Sequence, residues 1–191
     1  MVPQVVGIDE VVAQIRGLRD VRALVLVGID GAGGAGKSTL AAAVAERLTT
    51  DVAIVPMDDF IVRDRMLDDS WEHGWDRERL ICQVLDPLRR GERVSYQRLE
   101  WESNSLSAPV ELPVATIVLV EGITALHPDL ASCWDLAVWV ETIAELARER
   151  GRVRDAGNEN AQHWHLWSRN DAQYRAKYVP QERAHLVVRG E

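Results

Sequence analysis

A glycine-rich segment between a strongly apolar run and an alanine-rich run constrains the fold of this chain more than any other feature. Residues 23–29 (ALVLVGI) are almost entirely aliphatic, which is typical of a strand buried on both faces of a parallel sheet. Residues 31–38 (GAGGAGKS) follow, and the alanine-rich residues 37–48 have the composition of a helix. A strand, a glycine-rich loop and a helix in this order predict the opening unit of an α/β fold.

The loop has the spacing Gly-x-x-x-x-Gly-Lys-Ser, which is the pattern of a phosphate-binding loop. Glycines allow backbone N–H groups to converge on phosphate oxygens, and the following helix directs its positive dipole end toward them. We expect Lys37 to reach the β- and γ-phosphates of ATP and the Ser38 hydroxyl to ligate Mg²⁺. The predicted nucleotide-binding residues are Gly31, Ala32, Gly33, Gly34, Ala35, Gly36, Lys37, Ser38 and Thr39. The alternative, a chance match in an ordinary turn, is disfavoured because a strand and a helix flank the loop in the required order.

Strands and helices alternate along the rest of the chain. Further strands are predicted at 52–56, 115–120, 135–140 and 185–189, and helices at 9–19, 76–89, 142–154 and 160–178. We therefore expect a three-layer α/β fold of the P-loop NTPase type, with a five-stranded parallel sheet flanked by helices. At this length, residues 1–191 are expected to form a single domain.

Acidic residues lie where two of the predicted strands end, which is the edge of a parallel sheet where ligands bind. Asp58 and Asp59 follow the strand at 52–56, and Glu121 ends the apolar run at 115–120. An acid at the end of such a run is costly to bury unless it is paired or close to a metal, so Glu121 is predicted on the metal side. Asp58 is predicted to orient or deprotonate an acceptor hydroxyl, with helix capping as the alternative role for Asp58 and Asp59.

An arginine-rich segment at 148–154 (RERGRVR) lies on a predicted helix. Arg150 and Arg154 are four residues apart and share one helical face. Together with the phosphate-binding loop, this spacing predicts a small lid at about 148–160 whose arginines stabilise charge on a transferring phosphoryl group. The alternative is a solvated basic face that the neighbouring acids balance.

Signatures of several other nucleotide-binding classes are missing from the sequence. The chain has no Asn-Lys-x-Asp guanine motif and no Ser-Gly-Gly signature loop of a transporter ATPase, and it is shorter than ATPase motors. A small kinase, in which Mg-ATP donates its γ-phosphoryl group to a bound acceptor, is the class that remains.

Taken together, these motifs resemble those of the phosphoribulokinase/uridine kinase family over residues from about 22 to 189. Met57 to Phe60 is similar to the family's Asp-x-Phe-Tyr motif, and Glu121 to Ile123 matches its Glu-Gly-Ile. The resemblance implies a Mg-ATP-dependent kinase of a small hydroxyl-bearing metabolite, in which Ser38 and Glu121 place Mg²⁺. It further implies that Lys37, Asp58, Arg150 and Arg154 are the catalytic residues. Related kinases are often dimers or tetramers, so the resemblance leaves open whether this chain forms a homo-oligomer.

The sequence departs from the family pattern on the acceptor side. Ile61 stands where uridine kinases have Tyr, and Leu99 replaces an aromatic residue near the nucleobase. The Asp-His-Pro segment that holds ribose hydroxyls is missing, and Asp69 and Asp76 are the nearby acids. The acceptor is therefore open between a nucleoside and a non-nucleoside such as pantothenate or a sugar. A nucleotide-binding regulatory protein without kinase activity is the alternative from another class.

Composition excludes several other partners. The formal net charge of −8 argues against a protein that binds nucleic acid through its overall field. No apolar run approaches the roughly 20 residues needed to cross a bilayer, and the first ten residues do not have the pattern of a secretory signal. Cys82 and Cys133 are far apart and are expected to be free thiols in a reducing cytoplasm.

Overall fold

The computed structural model describes residues 4–48, 51–66 and 71–190. Its strands are β1 (Gln4–Val6), β2 (Val25–Gly31), β3 (Val52–Pro56), β4 (Ser95–Tyr96), β5 (Leu99–Glu100), β6 (Ser105–Leu106), β7 (Val110–Glu111), β8 (Ile117–Glu121), β9 (Leu136–Glu141) and β10 (Leu186–Arg189). Its α-helices are α1 (Ile8–Arg19), α2 (Lys37–Leu48), α3 (Arg63–Met66), α4 (Arg77–Leu80), α5 (Asp86–Arg89), α6 (Ala144–Arg154) and α7 (Trp164–Tyr178).

A parallel sheet in the order β1-β10-β9-β2-β8-β3 organises the described residues, as the alternation of strands and helices predicted. The prediction of five strands is wrong by one, because β1 adds a sixth strand that pairs with β10. Strand β1 has only three residues, all at least partly exposed at the sheet edge. Its sequence is therefore too short to show the alternation of polar and apolar residues by which strands are predicted. Two short antiparallel pairs, β4 with β7 and β5 with β6, lie outside the main sheet.

The sheet is covered on both faces, which gives the expected three layers. Alternate residues of β2 point in opposite directions, since Val25, Val27 and Ile29 join one apolar cluster and Leu26 joins the other. Helices α1 and α2 cover the first cluster. The second cluster contains residues of α4, of the turn that follows it and of the loop after β8.

Several helix boundaries differ in detail from the predicted ones. The helix predicted at 76–89 forms as α4, a π-helical turn at Ile81–Leu85 and α5. Pro87, which has no backbone N–H, comes directly after that turn and favours a local change of hydrogen bonding. The segment predicted as a helix from 160 begins with a 3₁₀ turn at Glu159–His163, and α7 follows it.

Two expectations from composition concern cysteines and membrane spans. Cys82 is exposed, Cys133 is buried, and both are free thiols, as predicted. Within the described ranges, every helix is too short or too polar to span a bilayer.

Candidate functional site

The phosphate-binding loop joins the buried strand β2 to the N-terminus of α2, as predicted. Gly34 and Gly36 have φ angles of +78° and +97°, which side chains rarely allow. A Cβ atom added to Gly34 would lie 2.0 Å from the carbonyl oxygen of Ala147 on α6. The loop therefore needs glycine at position 34 for its conformation and for the close approach of α6.

Lys37 is the first residue of α2, and its side chain curls back over the loop. Its Nζ donates hydrogen bonds to the carbonyl oxygens of Gly31 (2.9 Å) and Ala32 (2.8 Å). The residue is buried, so these bonds compensate for the loss of water around the ammonium group. The ammonium group thus lies inside the loop.

Ser38 and Glu121, the two predicted metal ligands, contact each other directly. The Ser38 hydroxyl donates to Oε1 of Glu121 at 2.9 Å. Burial raises the pKa of the Glu121 carboxyl, whereas the charge of Lys37 and the hydrogen bond from Ser38 act in the opposite direction. Hard oxygen donors of this kind suit Mg²⁺.

Asp58 lies in a 3₁₀ turn, Met57–Phe60, directly after β3. Its side chain is partly exposed to solvent. The protein around the rest of the carboxyl removes water from it, and this desolvation raises its pKa. The charges of Lys37 and Arg154 oppose that shift. Asp59 has a different environment, since it accepts a hydrogen bond from Tyr96 (2.9 Å) and pairs with Arg98 (3.3 Å).

The two predicted lid arginines lie on α6, four residues apart. Arg150 and Arg154 both line a cavity beside the phosphate-binding loop. Arg154 makes a two-pronged ion pair with Asp155 (2.9 and 3.1 Å), and this pairing raises the pKa of its guanidinium. Asp155 also accepts a hydrogen bond from Nε1 of Trp164, so the C-terminal end of α6 is fixed against the segment that follows it.

Two cavities meet at the phosphate-binding loop. The larger, about 800 Å³, is lined by the N-terminal part of α2, by α6 and by the ends of β1 and β10. The smaller, about 120 Å³, is lined by Asp58, Glu121 and several aromatic residues. Both cavities are lined by Gly34, Lys37, Ser38 and Arg154. This geometry brings all the sequence-predicted catalytic and metal residues to one place, with Arg150 on the larger cavity only.

Asn170 and Asp171 on α7 also line the smaller cavity, and the sequence argument missed both. Oδ2 of Asp171 accepts a hydrogen bond from the backbone N–H of Gly33 at 2.8 Å. Burial raises the pKa of the Asp171 carboxyl, against the effect of that hydrogen bond and of Lys37. No local motif marks these residues, because α7 reaches the loop from more than 130 positions away in the chain.

The tryptophans, and the acceptor-side residues that depart from the family pattern, lie partly on the smaller cavity and partly in the core. Trp75, Trp101 and Ile61 line the smaller cavity. Trp71 instead packs edge-on against Tyr174, with ring centroids 6.5 Å apart. Trp134 and Trp139 are buried in the core.

Asp76, one of the two acids near the missing ribose segment, is not among the described residues that line the smaller cavity. Asp76 caps α4 by accepting a hydrogen bond from the Arg79 backbone N–H at 2.9 Å. Asp69 lies outside the described residues. Leu99 packs against the core of the second face of the sheet.

Sequence comparison finds uridine kinases among the similar proteins. The uridine kinase of Oceanobacillus iheyensis is 26% identical over 152 residues, which are 69% of this chain and 72% of that enzyme. The uridine kinase of Staphylococcus aureus strain JH9 is 26% identical over 155 residues, which are 71% of this chain and 74% of that enzyme. No protein-family profile matches the chain.

Solved structures share the whole fold at lower sequence identity. A possible uridine kinase from Bacillus stearothermophilus superposes with a TM-score of 0.72 at 18% identity, covering 95% of this chain and 96% of the other. A candidate fructose transport system kinase from a Silicibacter species gives 0.69 at 24% identity, covering 96% and 98%. The resemblance to uridine kinase-like proteins is therefore confirmed, and the fold is that of P-loop kinases.

Proposed function

We propose that this uridine kinase-like chain transfers the γ-phosphoryl group of Mg-ATP to a hydroxyl of a small metabolite. The observation that carries the proposal is the meeting of the two cavities at Lys37, Ser38 and Arg154. A kinase needs one site for the donor and one for the acceptor, and the reacting groups must meet between them. We further propose that it acts in the cytoplasm, with a homo-oligomer as an open possibility.

The residues around the loop fit a nucleotide with its magnesium ion. The larger cavity has room for the base and ribose, and the backbone N–H groups of the loop and Lys37 would hold the β- and γ-phosphates. Ser38 and Glu121, 2.9 Å apart, would hold Mg²⁺ through direct or water-mediated contacts. When bound, Mg²⁺ neutralises charge that develops on the phosphate oxygens.

Asp58 is the residue that we assign to the acceptor hydroxyl. The acceptor oxygen forms a bond to the γ-phosphorus while the bond from that phosphorus to the β–γ bridging oxygen breaks, and ADP leaves. The hydroxyl proton passes to Asp58, whose raised pKa makes it a better base near neutral pH than an ordinary aspartate. Arg154, which lines both cavities, would stabilise charge on the phosphoryl group in transit.

A nucleotide-binding regulatory protein without kinase activity is the second candidate. The acceptor-side departures favour it, because Ile61 replaces an aromatic residue and Asp76 caps a helix. The position of Asp58 on the smaller cavity favours the kinase, since nucleotide binding alone needs no carboxylate there.

The variant Asp58→Asn tests the assignment. Turnover should fall by about 10³-fold because a general base typically contributes 10²- to 10⁴-fold, while the Kd for Mg-ATP stays within a few fold. Asp59→Asn is the matched control, because Asp59 contacts Tyr96 and Arg98 and is expected to leave kcat within a few fold. Acceptor-dependent ADP formation and calorimetric ATP binding give the two readouts, and unchanged turnover in Asp58→Asn would refute the role.

A further inference from the structure

Among the residues that the structure describes, several buried polar atoms have no hydrogen-bond partner and belong to side chains that line the smaller cavity. They are Nε1 of Trp75, Nε1 of Trp167, and both amide atoms of Asn170. A buried polar group without a partner is costly, and each such group in a native protein needs an explanation. A ligand that binds in the cavity and draws these side chains toward it would explain them.

Three other buried indoles among the described residues, those of Trp134, Trp139 and Trp164, are paired. Nε1 of Trp134 donates to the carbonyl oxygen of Ala125 at 2.8 Å, and Nε1 of Trp164 donates to Asp155 at 2.8 Å. Each of these indoles fixes one part of the fold to another. The indole N–H groups of Trp75 and Trp167 make no such link to the described residues, and both side chains line the cavity that Asp58 also lines.

Asn170 is the most specific of these groups because one amide can donate and accept at the same time. Two neighbouring hydroxyls match it, since one donates to Oδ1 and the other accepts from Nδ2. The carboxylates of Asp58 and Asp171 line the same cavity and accept hydrogen bonds, which hydroxyl groups also provide.

The charges around the cavity disfavour an anionic acceptor. Asp58, Glu121 and Asp171 line it, and of the two cations on the same wall Arg154 is paired with Asp155, while Lys37 is assigned to the phosphates of ATP. A negatively charged acceptor would face like charges, which is unfavourable in a partly buried site. The acceptor is therefore expected to be neutral.

The size of the cavity limits the acceptor further. About 120 Å³ corresponds to roughly ten water-sized groups at 10–15 Å³ each. A monosaccharide or a sugar alcohol matches this space more closely than the larger nucleoside does. The apolar faces of Trp101 and Ile123 suit the C–H face of such a ring or chain.

We propose that Asn170, with the indole N–H groups of Trp75 and Trp167, selects a neutral polyhydroxy acceptor about the size of a monosaccharide. This inference rests on the proposed kinase function and names its substrate class. Asn170 is a specificity-determining residue in this proposal, and Asp58 keeps its role at the reacting hydroxyl.

The experiment compares D-fructose, D-glucose, D-ribose and ribitol with uridine and cytidine as acceptors of the wild-type chain. At least one polyol should give a kcat/KM about 100-fold above that for either nucleoside. The variant Asn170→Leu should lower kcat/KM for that polyol about 100-fold and leave the KM for ATP unchanged. Gln173→Leu, at an exposed position of the same helix, is the matched control and should leave both constants within twofold.

A stability readout separates recognition from a structural role. Without ligand, Asn170→Leu should melt at the same temperature as the wild type or higher, because it removes buried polar atoms that have no partner. A lower melting temperature together with unchanged discrimination among acceptors would assign Asn170 to the fold and overturn the inference.

The remaining outcomes distinguish this inference from the proposed function. Phosphorylation of a nucleoside with no polyol turnover would leave the kinase standing and refute the polyol class. Failure of every acceptor would count against the kinase function. Calorimetric titration of the same polyols into the chain would then test the polyol inference separately. Polyol binding that Asn170→Leu abolishes would support the inference, and no binding would refute it.

Discussion

Asp30 is a fully buried carboxylate at the end of β2, and three donors surround it. Oδ1 accepts from the backbone N–H of Gly31 (2.7 Å), and Oδ2 accepts from the N–H of Leu126 (2.9 Å) and the hydroxyl of Tyr174 (2.7 Å). These bonds tie β2, the loop after β8 and α7 to the start of the phosphate-binding loop. Burial nevertheless dominates and raises the pKa of Asp30 to about 6.

This pKa predicts a pH dependence of stability. Between pH 4 and 6 the unfolded chain loses the Asp30 proton while the folded chain keeps it, so the contribution of Asp30 to stability falls as the pH rises. The free energy of unfolding of the wild type, minus that of Asp30→Asn, should decrease by about 3 kcal/mol across this window and be flat above it. Urea unfolding at pH 4, 5, 6 and 7 measures the difference, and a difference that grows with pH would show that the three donors outweigh burial.

The site residues that sequence reasoning found are those with a local signature. Lys37 and Ser38 belong to one contiguous motif, and Asp58 and Glu121 lie directly after apolar strands. Asp30 has the same position at the end of an apolar run, so the argument used for Glu121 would also have identified it. Asn170 lies in the polar helix α7, and only the folded chain shows that it meets the phosphate-binding region.

At the scale of elements, close packing fixes the position of helix α6. A Cβ atom on Gly151 would lie 1.9 Å from the Trp164 ring, and the backbone of Ala147 lies against Gly34. The guanidinium of Arg154 lies over the Trp164 ring at 5.8 Å from its centroid. The position of Arg154 between the two cavities therefore depends on this contact.

Gly151→Ala tests the packing of α6. The added methyl group should displace α6 from Trp164, lower the free energy of unfolding by about 1–3 kcal/mol and raise the KM for ATP, although alanine is the better helix former. Gly17→Ala is the matched control, since Gly17 lies in α1 with no atom within 4 Å of an added Cβ and should stabilise by up to about 1 kcal/mol. Equal effects of the two substitutions in urea unfolding and ATP titration would contradict this account.

Elements were predictable in proportion to their length and periodicity. Strands β2 and β8 are long apolar runs, so their bounds follow closely from the sequence. Strand β1 is three residues long and exists because β10 pairs with it, and that contact joins the two ends of the chain. The π-helical turn at Ile81–Leu85 could not be predicted from the sequence either, since helical spacing alone predicts an unbroken helix.

At the scale of the whole molecule, the fold brings distant segments to one edge of the sheet. The larger cavity is lined by the start of α1, by α2, by α6 and by the end of β10. The smaller cavity adds the turn after β3 and helix α7. The proposed phosphoryl transfer at the junction of the two cavities would therefore depend on the assembled fold.

Acceptor-dependent formation of ADP from Mg-ATP tests that central claim most directly, with Lys37→Ala as the blank. The wild type should release ADP only when a small hydroxyl-bearing acceptor is present and should yield an equal amount of phosphorylated acceptor. The rate of ADP formation should be at least about 100-fold lower in Lys37→Ala, because Lys37 lines both cavities. ATP binding without phosphoryl transfer to any nucleoside, vitamin or sugar would contradict the account and favour the regulatory protein.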